Sequence, residues 1–195
     1  MKKLVILSCM AAFRLVAVFF SCNPPAAKES AEKNTPLDSA QLVQRGQYIV
    51  NSSGCDDCHS PKIMGPQGPV PDPERRLSGH PSEQAIGIPH PEDLKQFILF
   101  DPGLTAYIGP WGTSFSANLT SDPTGIGNWN EAQFLLAFKH GKYKGMENGR
   151  SILPPMPWKM FANFTDEDAK AVFAFLKTTK PVKNSVPTLI PPAGL

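Results

Sequence analysis

The chain has 195 residues, a length that predicts one domain with short extensions and excludes a large multidomain enzyme. Hydrophobic residues make up 41% and charged residues 18%, so the composition excludes a wholly disordered chain. The 21 prolines predict long irregular connections, and the formal net charge of +2 is a weak indication of an acidic partner.

The first 21 residues have the organisation of an export signal. Two lysines precede an apolar run over residues 4–20, and a small residue stands before Cys22. This ending resembles a bacterial lipoprotein signal, which implies that Cys22 carries a lipid and becomes the first residue. The alternative is an uncleaved transmembrane anchor. It is disfavoured because the apolar run is short and Arg14 lies at its centre.

Processing before Cys22 changes the formal charge from +2 to −1, because it removes three basic residues and no acidic one. A nucleic-acid-binding function then has no support, since no cluster of lysine and arginine remains. Residues 22–37 are polar and rich in proline and alanine, which predicts a flexible tether. The main domain is predicted over residues 38–183, followed by a proline-rich tail over 184–195.

Hydrophobic periodicity predicts helices over residues 38–50, 91–100, 130–140 and 166–178. Asp38 and Thr165 are the predicted N-caps of the first and last helix, and Gly141 is the predicted stop of the third. Gly46 has no side chain, so a facing aromatic such as Phe173 could bring the first and last helices into close contact.

Residues 55–59 read C-D-D-C-H, the C-x-x-C-H pattern of c-type haem attachment. Thiols at the spacing of Cys55 and Cys58 can each add to a vinyl group of one porphyrin. The adjacent imidazole of His59 then lies beneath the iron as an axial ligand.

Three other sites use similar residues. A thioredoxin-like disulfide needs its first cysteine at the start of a helix, whereas this motif follows a helical stretch and precedes Ser60-Pro61. A structural zinc site needs four ligands, and the remaining cysteine and histidines have no paired spacing. A simple disulfide between Cys55 and Cys58 would leave His59 without a role.

The chain resembles the class I cytochromes c in the order of its motifs. Gly46-Gln47-Tyr48 precedes C-x-x-C-H, residues 153–158 read L-P-P-M-P-W, and residues 165–168 open a final helix with T-D-E-D. Residues 118–129, followed by these two motifs, are similar to the cytochrome c subunits that accept electrons from periplasmic dehydrogenases. The resemblance implies an all-α domain of four to five short helices around one covalent haem c, with long loops rich in proline and glycine.

The resemblance and the flanking prolines favour Met156 as the second axial ligand, because the prolines fix an extended loop that presents the thioether. Met146 and Met160 are the other methionines considered, and Met160 is predicted to fill the core. Bis-histidine ligation would use one of the histidines that are instead predicted to lie in loops or at the surface: His80, His90 and His140.

Trp158 could donate its indole N–H to a haem propionate. The alternative is that Trp158, Trp129 and Trp111 only form walls around the cofactor. The second ring nitrogen of His59 is predicted to meet a backbone carbonyl, near Pro66 or Pro69. Residues 60–89 have no assignable periodicity and are predicted either to cover a haem edge or to form a partner surface.

These features predict an exported electron carrier, tethered by lipid to a bacterial membrane and not itself an enzyme. The expected partners are redox proteins, namely a dehydrogenase, an oxidase or another cytochrome, with no nucleic acid and no small-molecule substrate. The alternatives are a haem enzyme or gas sensor with an open or displaceable sixth site, or a disulfide oxidoreductase. A peroxidase with two haems is disfavoured because the motif occurs once in this sequence.

Overall fold

The computed structural model describes residues 37–192, so the predicted leader and Cys22 lie outside the described residues. The helices are α1 (Ser39–Ser52), α2 (Cys55–His59), α3 (Glu131–Phe138), α4 (Trp158–Phe161) and α5 (Asp166–Lys177). The strands are β1 (Lys62–Gly65), β2 (Gly68–Pro71), β3 (Leu99–Phe100), β4 (Ala106–Gly109) and β5 (Gly112–Phe115). Within residues 37–192 no helix is long and apolar enough to cross a membrane.

Helices α1 and α5 form the centre of the domain, and both begin where the sequence predicts. The Asp38 carboxylate accepts from the Gln41 backbone N–H at 2.9 Å, and the Thr165 hydroxyl oxygen accepts from the Asp168 N–H at 3.0 Å. Such caps satisfy backbone donors that have no partner within the helix. The two predicted N-caps are therefore confirmed.

The close contact between α1 and α5 depends on Gly46, but its partner is not Phe173. A Cβ added to Gly46 would overlap the Ala171 carbonyl oxygen and lie 2.8 Å from the Phe175 Cβ. Ala171 and Phe175 are four residues apart and share one face of α5. Phe173 lies on another face, where its ring centroid is 5.2 Å from that of Phe134. The predicted pairing of Gly46 with Phe173 is wrong.

Helix α3 packs against α5 and completes the helical core. Asn130 caps its start. Gly141 follows its end with a φ of 63°, as the sequence predicts. Burial of an apolar side chain contributes roughly 1.5–3 kcal/mol, so the core dominates the stability of the domain. The buried cluster consists of Ile49, Val50, Leu77, Ile126, Phe134, Phe138, Ala169, Val172, Phe175 and Leu176.

The predicted helix over residues 91–100 is wrong. This stretch contains a single 3-10 turn at Asp93–Lys95, followed by strand β3. Phe97 and Ile98 are more than half exposed, so the apolar face of a helix would have had nothing to pack against. Leu99 and Phe100 instead pair with β4.

An insertion between α2 and α3 carries two small antiparallel sheets on the otherwise all-α domain. Strands β1 and β2 form a hairpin, and β3, β4 and β5 form a three-stranded sheet. The chain between the two sheets folds back on α2, and Leu77 and His80 in this segment are fully buried. The class of fold expected from the sequence is confirmed by the five helices. Strands β1 and β2 lie in the stretch without assignable periodicity, residues 60–89.

The chain after α5 runs back along the insertion. The side-chain amide of Asn184 donates to the carbonyls of Ser78 and His80 at 2.7 and 2.8 Å. Further on, Ile190 pairs with Thr113 through backbone hydrogen bonds of 2.8 and 3.0 Å. The proline-rich segment up to residue 192 is thus fastened to the domain.

Candidate functional site

The C-x-x-C-H motif forms the short helix α2, which follows Gly54 in the left-handed conformation with a φ of 71°. Residues three apart on a helix lie on the same face, so this single turn presents the side chains of Cys55 and Cys58 together. Both are free, half-buried thiols. The arrangement provides two thiols on one face, as attachment to a single porphyrin requires.

His59 ends the motif helix with its ring buried and oriented. Its Nδ1 lies 2.8 Å from the Ala117 carbonyl oxygen, which can only accept, so Nδ1 carries the proton and Nε2 has a free lone pair. Burial lowers the pKa of His59, which favours the neutral imidazole. A neutral ring with one nitrogen held by a carbonyl is the form that binds a metal.

The predicted carbonyl partner of His59 exists, but it is not near Pro66 or Pro69. Those prolines belong to the β1–β2 hairpin. The residues after β5 lie next to His59 instead. Residues 79–80 join the two, because the Gly79 N–H donates to the His59 carbonyl and the His80 N–H donates to the Ser116 carbonyl. This packing brings Ala117 against the ring, 58 positions along the chain.

Asp56, between the two cysteines, is held by two side chains whose role no sequence pattern indicates. The Arg76 guanidinium donates to the Asp56 carboxylate in a bidentate ion pair, with hydrogen bonds of 2.9 and 2.7 Å. The Ser60 hydroxyl donates to the same carboxylate at 2.7 Å. Burial alone would raise the pKa of Asp56, but the hydrogen bonds from Arg76 and Ser60 outweigh it and hold that pKa below its ordinary value. Asp56 thus remains ionised beside the thiols.

Lys62 closes the other end of the motif helix. Its ammonium donates to the carbonyls of Asp56, Asp57 and Ser60 at 3.1, 2.9 and 2.5 Å. Carbonyls at the end of a helix lack backbone partners, and a cation there also opposes the helix dipole. Lys62 therefore stabilises the single turn that carries the cysteines.

The environment of Cys55 does not favour thiol redox chemistry. Burial raises the pKa of the Cys55 thiol to about 11. Reactive cysteines of disulfide oxidoreductases have a lowered pKa instead. On the other side of the motif, Cys58 neighbours the phenol of Tyr107, whose pKa is raised by burial and by this thiol. Among residues 37–192 no group of three or more His, Cys, Asp or Glu side chains could hold a metal ion such as zinc.

Met156 lies half-buried in the connection before α4. The Ser114 hydroxyl donates to the Pro154 carbonyl at 2.9 Å, which ties this connection to β5. The other two methionines considered are more exposed: Met146 at 51% and Met160 at 70%. The prediction that Met160 fills the core is wrong, because α4 turns this side chain to the solvent.

The three alternative histidines have surroundings that differ from those of His59. His80 is buried with both ring nitrogens in contact with polar atoms, Nδ1 with the Thr105 hydroxyl at 2.9 Å and Nε2 with the Gln84 carbonyl at 3.2 Å. His90 and His140 are exposed, as predicted for loop or surface histidines.

The tryptophans have separate surroundings. Trp158 is half-buried and its ring lies against Gly141, where an added Cβ would overlap the indole. Trp111 donates its indole N–H to Ser114 at 3.1 Å, and Trp129 packs against the hydrophobic core. The contact of Trp158 with a propionate stays a prediction.

Paired thiols and a neutral, oriented imidazole on one turn fit a covalently attached haem. Comparison with known proteins agrees with this chemistry. The family model described as Cytochrome c matches residues 43–180. A nicotinate dehydrogenase subunit of Pseudomonas putida is 39% identical over 150 residues, which are 76% of this chain and 10% of that protein.

Two other relatives have names that refer to cytochrome subunits. The fructose dehydrogenase cytochrome subunit of Gluconobacter japonicus is 37% identical over 142 residues, 72% of this chain and 22% of that protein. The gluconate 2-dehydrogenase cytochrome c subunit of Pantoea cypripedii is 32% identical over 135 residues, 69% of this chain and 22% of that protein. The chain spans 10% to 25% of the length of the curated relatives it matches.

Proposed function

Because the chain belongs to the cytochrome c family, whose members carry covalently bound c-type haem and transfer electrons, we propose that it is a carrier with one haem on residues 55–59. Cys55 and Cys58 form the thioethers, and His59 is one axial ligand. The observation that carries this assignment is the His59 ring, buried and held through Nδ1 by Ala117 so that Nε2 is free for iron. The bound iron supplies a one-electron Fe(III)/Fe(II) couple.

Met156 is the second axial ligand in this proposal. It is supported by the half-buried position of the side chain and by the hydrogen bond from Ser114 that holds the preceding Pro154. With both axial positions filled by protein, the site has no place for a substrate or gas, and the chain is not itself catalytic. Trp158, close to Met156 in the chain, donates to a propionate.

We further propose that one redox partner, the electron donor or acceptor, is a dehydrogenase. The other redox partner is an oxidase or another cytochrome. The support is the similarity to dehydrogenase subunits from three organisms. The leader and Cys22 support export to the periplasmic side, with a lipid at Cys22 as the membrane tether. Nucleic acid and small-molecule substrates have no part in this function.

Covalent attachment is tested on protein exported in a host with cytochrome c maturation. We expect the wild type to give a c-type pyridine haemochrome and to keep its haem on acid-acetone extraction. The variant with Cys55→Ser and Cys58→Ser should lose it. Haem that is extracted from the wild type would exclude this function.

The same preparation separates an electron carrier from a gas sensor or haem enzyme. Carbon monoxide should leave the optical spectrum of the reduced wild type unchanged, because Met156 occupies the sixth position. The Met156→Ala variant should bind it readily. Ready binding by the wild type would favour the open-site function.

A further inference from the structure

Both proposed axial ligands are connected to one short stretch of the chain. This stretch, residues 114–117, begins within β5 and continues just past its end, and we call it the ligand-spanning segment. The Ser114 hydroxyl donates to the Pro154 carbonyl at 2.9 Å, two positions before the proposed methionine ligand. The Ala117 carbonyl oxygen lies 2.8 Å from the Nδ1 of His59. Residues only three positions apart thus hold the parts of the chain that carry the two ligands.

Backbone hydrogen bonds fix the ligand-spanning segment to three other parts of the domain. The Ser116 N–H donates to the Thr105 carbonyl at 2.9 Å, and the Ser116 carbonyl accepts from the His80 N–H at 3.0 Å. Directly before the segment, Thr113 and Ile190 exchange hydrogen bonds of 2.8 and 3.0 Å. Backbone that is hydrogen-bonded on several sides opens only rarely, so the two ends of the segment keep a fixed separation.

The Ser114 hydroxyl is oriented by a tryptophan. The Trp111 indole N–H donates to the Ser114 oxygen at 3.1 Å, and an indole nitrogen can only donate. The hydroxyl proton is therefore directed to the other neighbour, the Pro154 carbonyl. The Trp111 ring is itself held against Gly109, where an added Cβ would lie 2.7 Å from two ring carbons. The turn between β4 and β5 thus fixes the direction of the Ser114 hydrogen bond.

The connection that carries Met156 has little else to hold it. Elsewhere in residues 37–192, the Ser114 hydroxyl is the one group that forms a hydrogen bond with residues 153–156. An iron with both axial positions filled by protein needs the thioether at a constant position relative to the imidazole. The insertion supplies this constraint, because the same segment holds His59 at its other end.

We propose that Ser114 positions Met156, and that the ligand-spanning segment thereby sets the separation of the two axial ligands. This inference rests on the proposed function and adds to it a residue outside the ligand motifs. Ser114 acts through the Pro154 carbonyl, so it is a positioning residue and not a ligand. One hydrogen bond makes a modest net contribution, so its loss weakens the competition of Met156 for the iron without abolishing ligation.

The test measures how readily an added ligand displaces the methionine. The oxidised, haem-loaded full chain is titrated with imidazole, and the loss of the methionine-to-iron charge-transfer band gives the apparent Kd. Ser114→Ala removes the hydroxyl, and Ser114→Thr keeps one. Ser151→Ala is the matched control, because Ser151 is exposed, lies five positions before Met156, and makes no side-chain hydrogen bond within residues 37–192.

We expect Ser114→Ala to bind imidazole about 3–10-fold more tightly than the wild type, whereas Ser114→Thr and Ser151→Ala should differ from it by less than about twofold. The reduction potential should fall in Ser114→Ala only, because methionine ligation raises it. Trp111→Phe, which removes the indole N–H, should tighten imidazole binding by a smaller factor.

Two outcomes would overturn the proposal. One is an equal change of imidazole affinity in Ser114→Ala and Ser151→Ala. The other is a lowered melting temperature of Ser114→Ala with the imidazole affinity and the potential of the wild type, since that would show a purely structural role.

The spectrum of the wild type separates this inference from the proposed function. If the wild type has covalent haem and the methionine band, and Ser114→Ala binds imidazole equally, Ser114 is not a positioning residue and the electron-carrier function stands. If the wild type lacks the band, the assignment of Met156 fails and this inference fails with it.

Discussion

The carboxylate of Asp56 shows how one residue inside the cysteine motif can depend on a distant side chain. Arg76 and Ser60 satisfy this half-buried charge, and they keep its pKa low in the folded state. Because the folded-state pKa is below the unfolded value, near 3.9 for Asp, the ionised carboxylate stabilises the folded protein at any pH above that unfolded value. This stabilisation is lost as the pH falls through the folded-state pKa.

Arg76→Gln is expected to destabilise the protein by about 1–3 kcal/mol near neutral pH, because it leaves the Asp56 carboxylate partly buried without its ion pair. The deficit relative to wild type should shrink as the pH falls from about 4, the ordinary pKa of Asp, toward the lower folded-state pKa of Asp56, because protonation removes the charge that needs the ion pair. Urea unfolding at several pH values measures it. Lys95→Gln, which removes an exposed cation paired with the exposed Glu92, is the control. A deficit that does not change with pH would contradict the role of this pair.

At the scale of residues, the sequence could predict the groups that act locally. The thiols and the imidazole of residues 55–59 are recognised by their spacing in the sequence alone, whatever the rest of the fold. The partners of those groups could not be predicted. Arg76 lies 20 positions from Asp56, and Ala117 lies 58 positions from His59. Only the folding of the insertion brings them together.

The crossing of α1 and α5 is the central contact between elements. Gly46 allows the two backbones to approach, because any side chain there would overlap the Ala171 carbonyl. The absence of a side chain at this one position therefore sets the distance between the two helices.

Gly46→Ala is expected to destabilise the domain by about 1–3 kcal/mol or more, since overpacking at a helix contact forces the backbones apart. Alanine favours a helix over glycine, so a change that depended on propensity alone would stabilise it. Gly87→Ala, where an added Cβ meets open space, is the control. Urea midpoints compare the three proteins. A stabilised Gly46→Ala variant would show that the helices do not need this close approach.

Helices could be predicted from the sequence where an apolar face had a partner. Periodicity and caps gave α1, α3 and α5 close to their observed bounds. The same periodicity misled over residues 91–100, because β4 offers Leu99 and Phe100 backbone hydrogen bonds that no local pattern reveals. The two short sheets were likewise hidden within segments rich in glycine and proline.

At the scale of the whole molecule, the chain beyond α5 fastens the insertion to the helical core. Asn184 is buried and donates to two carbonyls of the segment that folds back on the motif helix. Its own side-chain carbonyl accepts from the Ser82 N–H at 3.0 Å. One amide thereby satisfies three backbone groups that are distant in sequence.

Asn184→Ala is expected to cost about 2–4 kcal/mol, because it leaves buried backbone carbonyls without donors. Thermal unfolding followed by circular dichroism measures the loss, and the exposed Asn148→Ala is the control. If the melting temperature of Asn184→Ala equals that of the control, the segment after α5 does not stabilise the domain.

The most direct test of the electron-carrier account is an optical spectrum recorded during a redox titration of the haem-loaded protein. We predict a one-electron transition, and a methionine-to-iron charge-transfer band in the oxidised state that Met156→Ala abolishes. Met146→Ala and Met160→Ala should keep this band, because both side chains are mostly exposed. A wild-type spectrum without the band, or a band that survives in Met156→Ala, would contradict the assignment of His59 and Met156 as the two axial ligands.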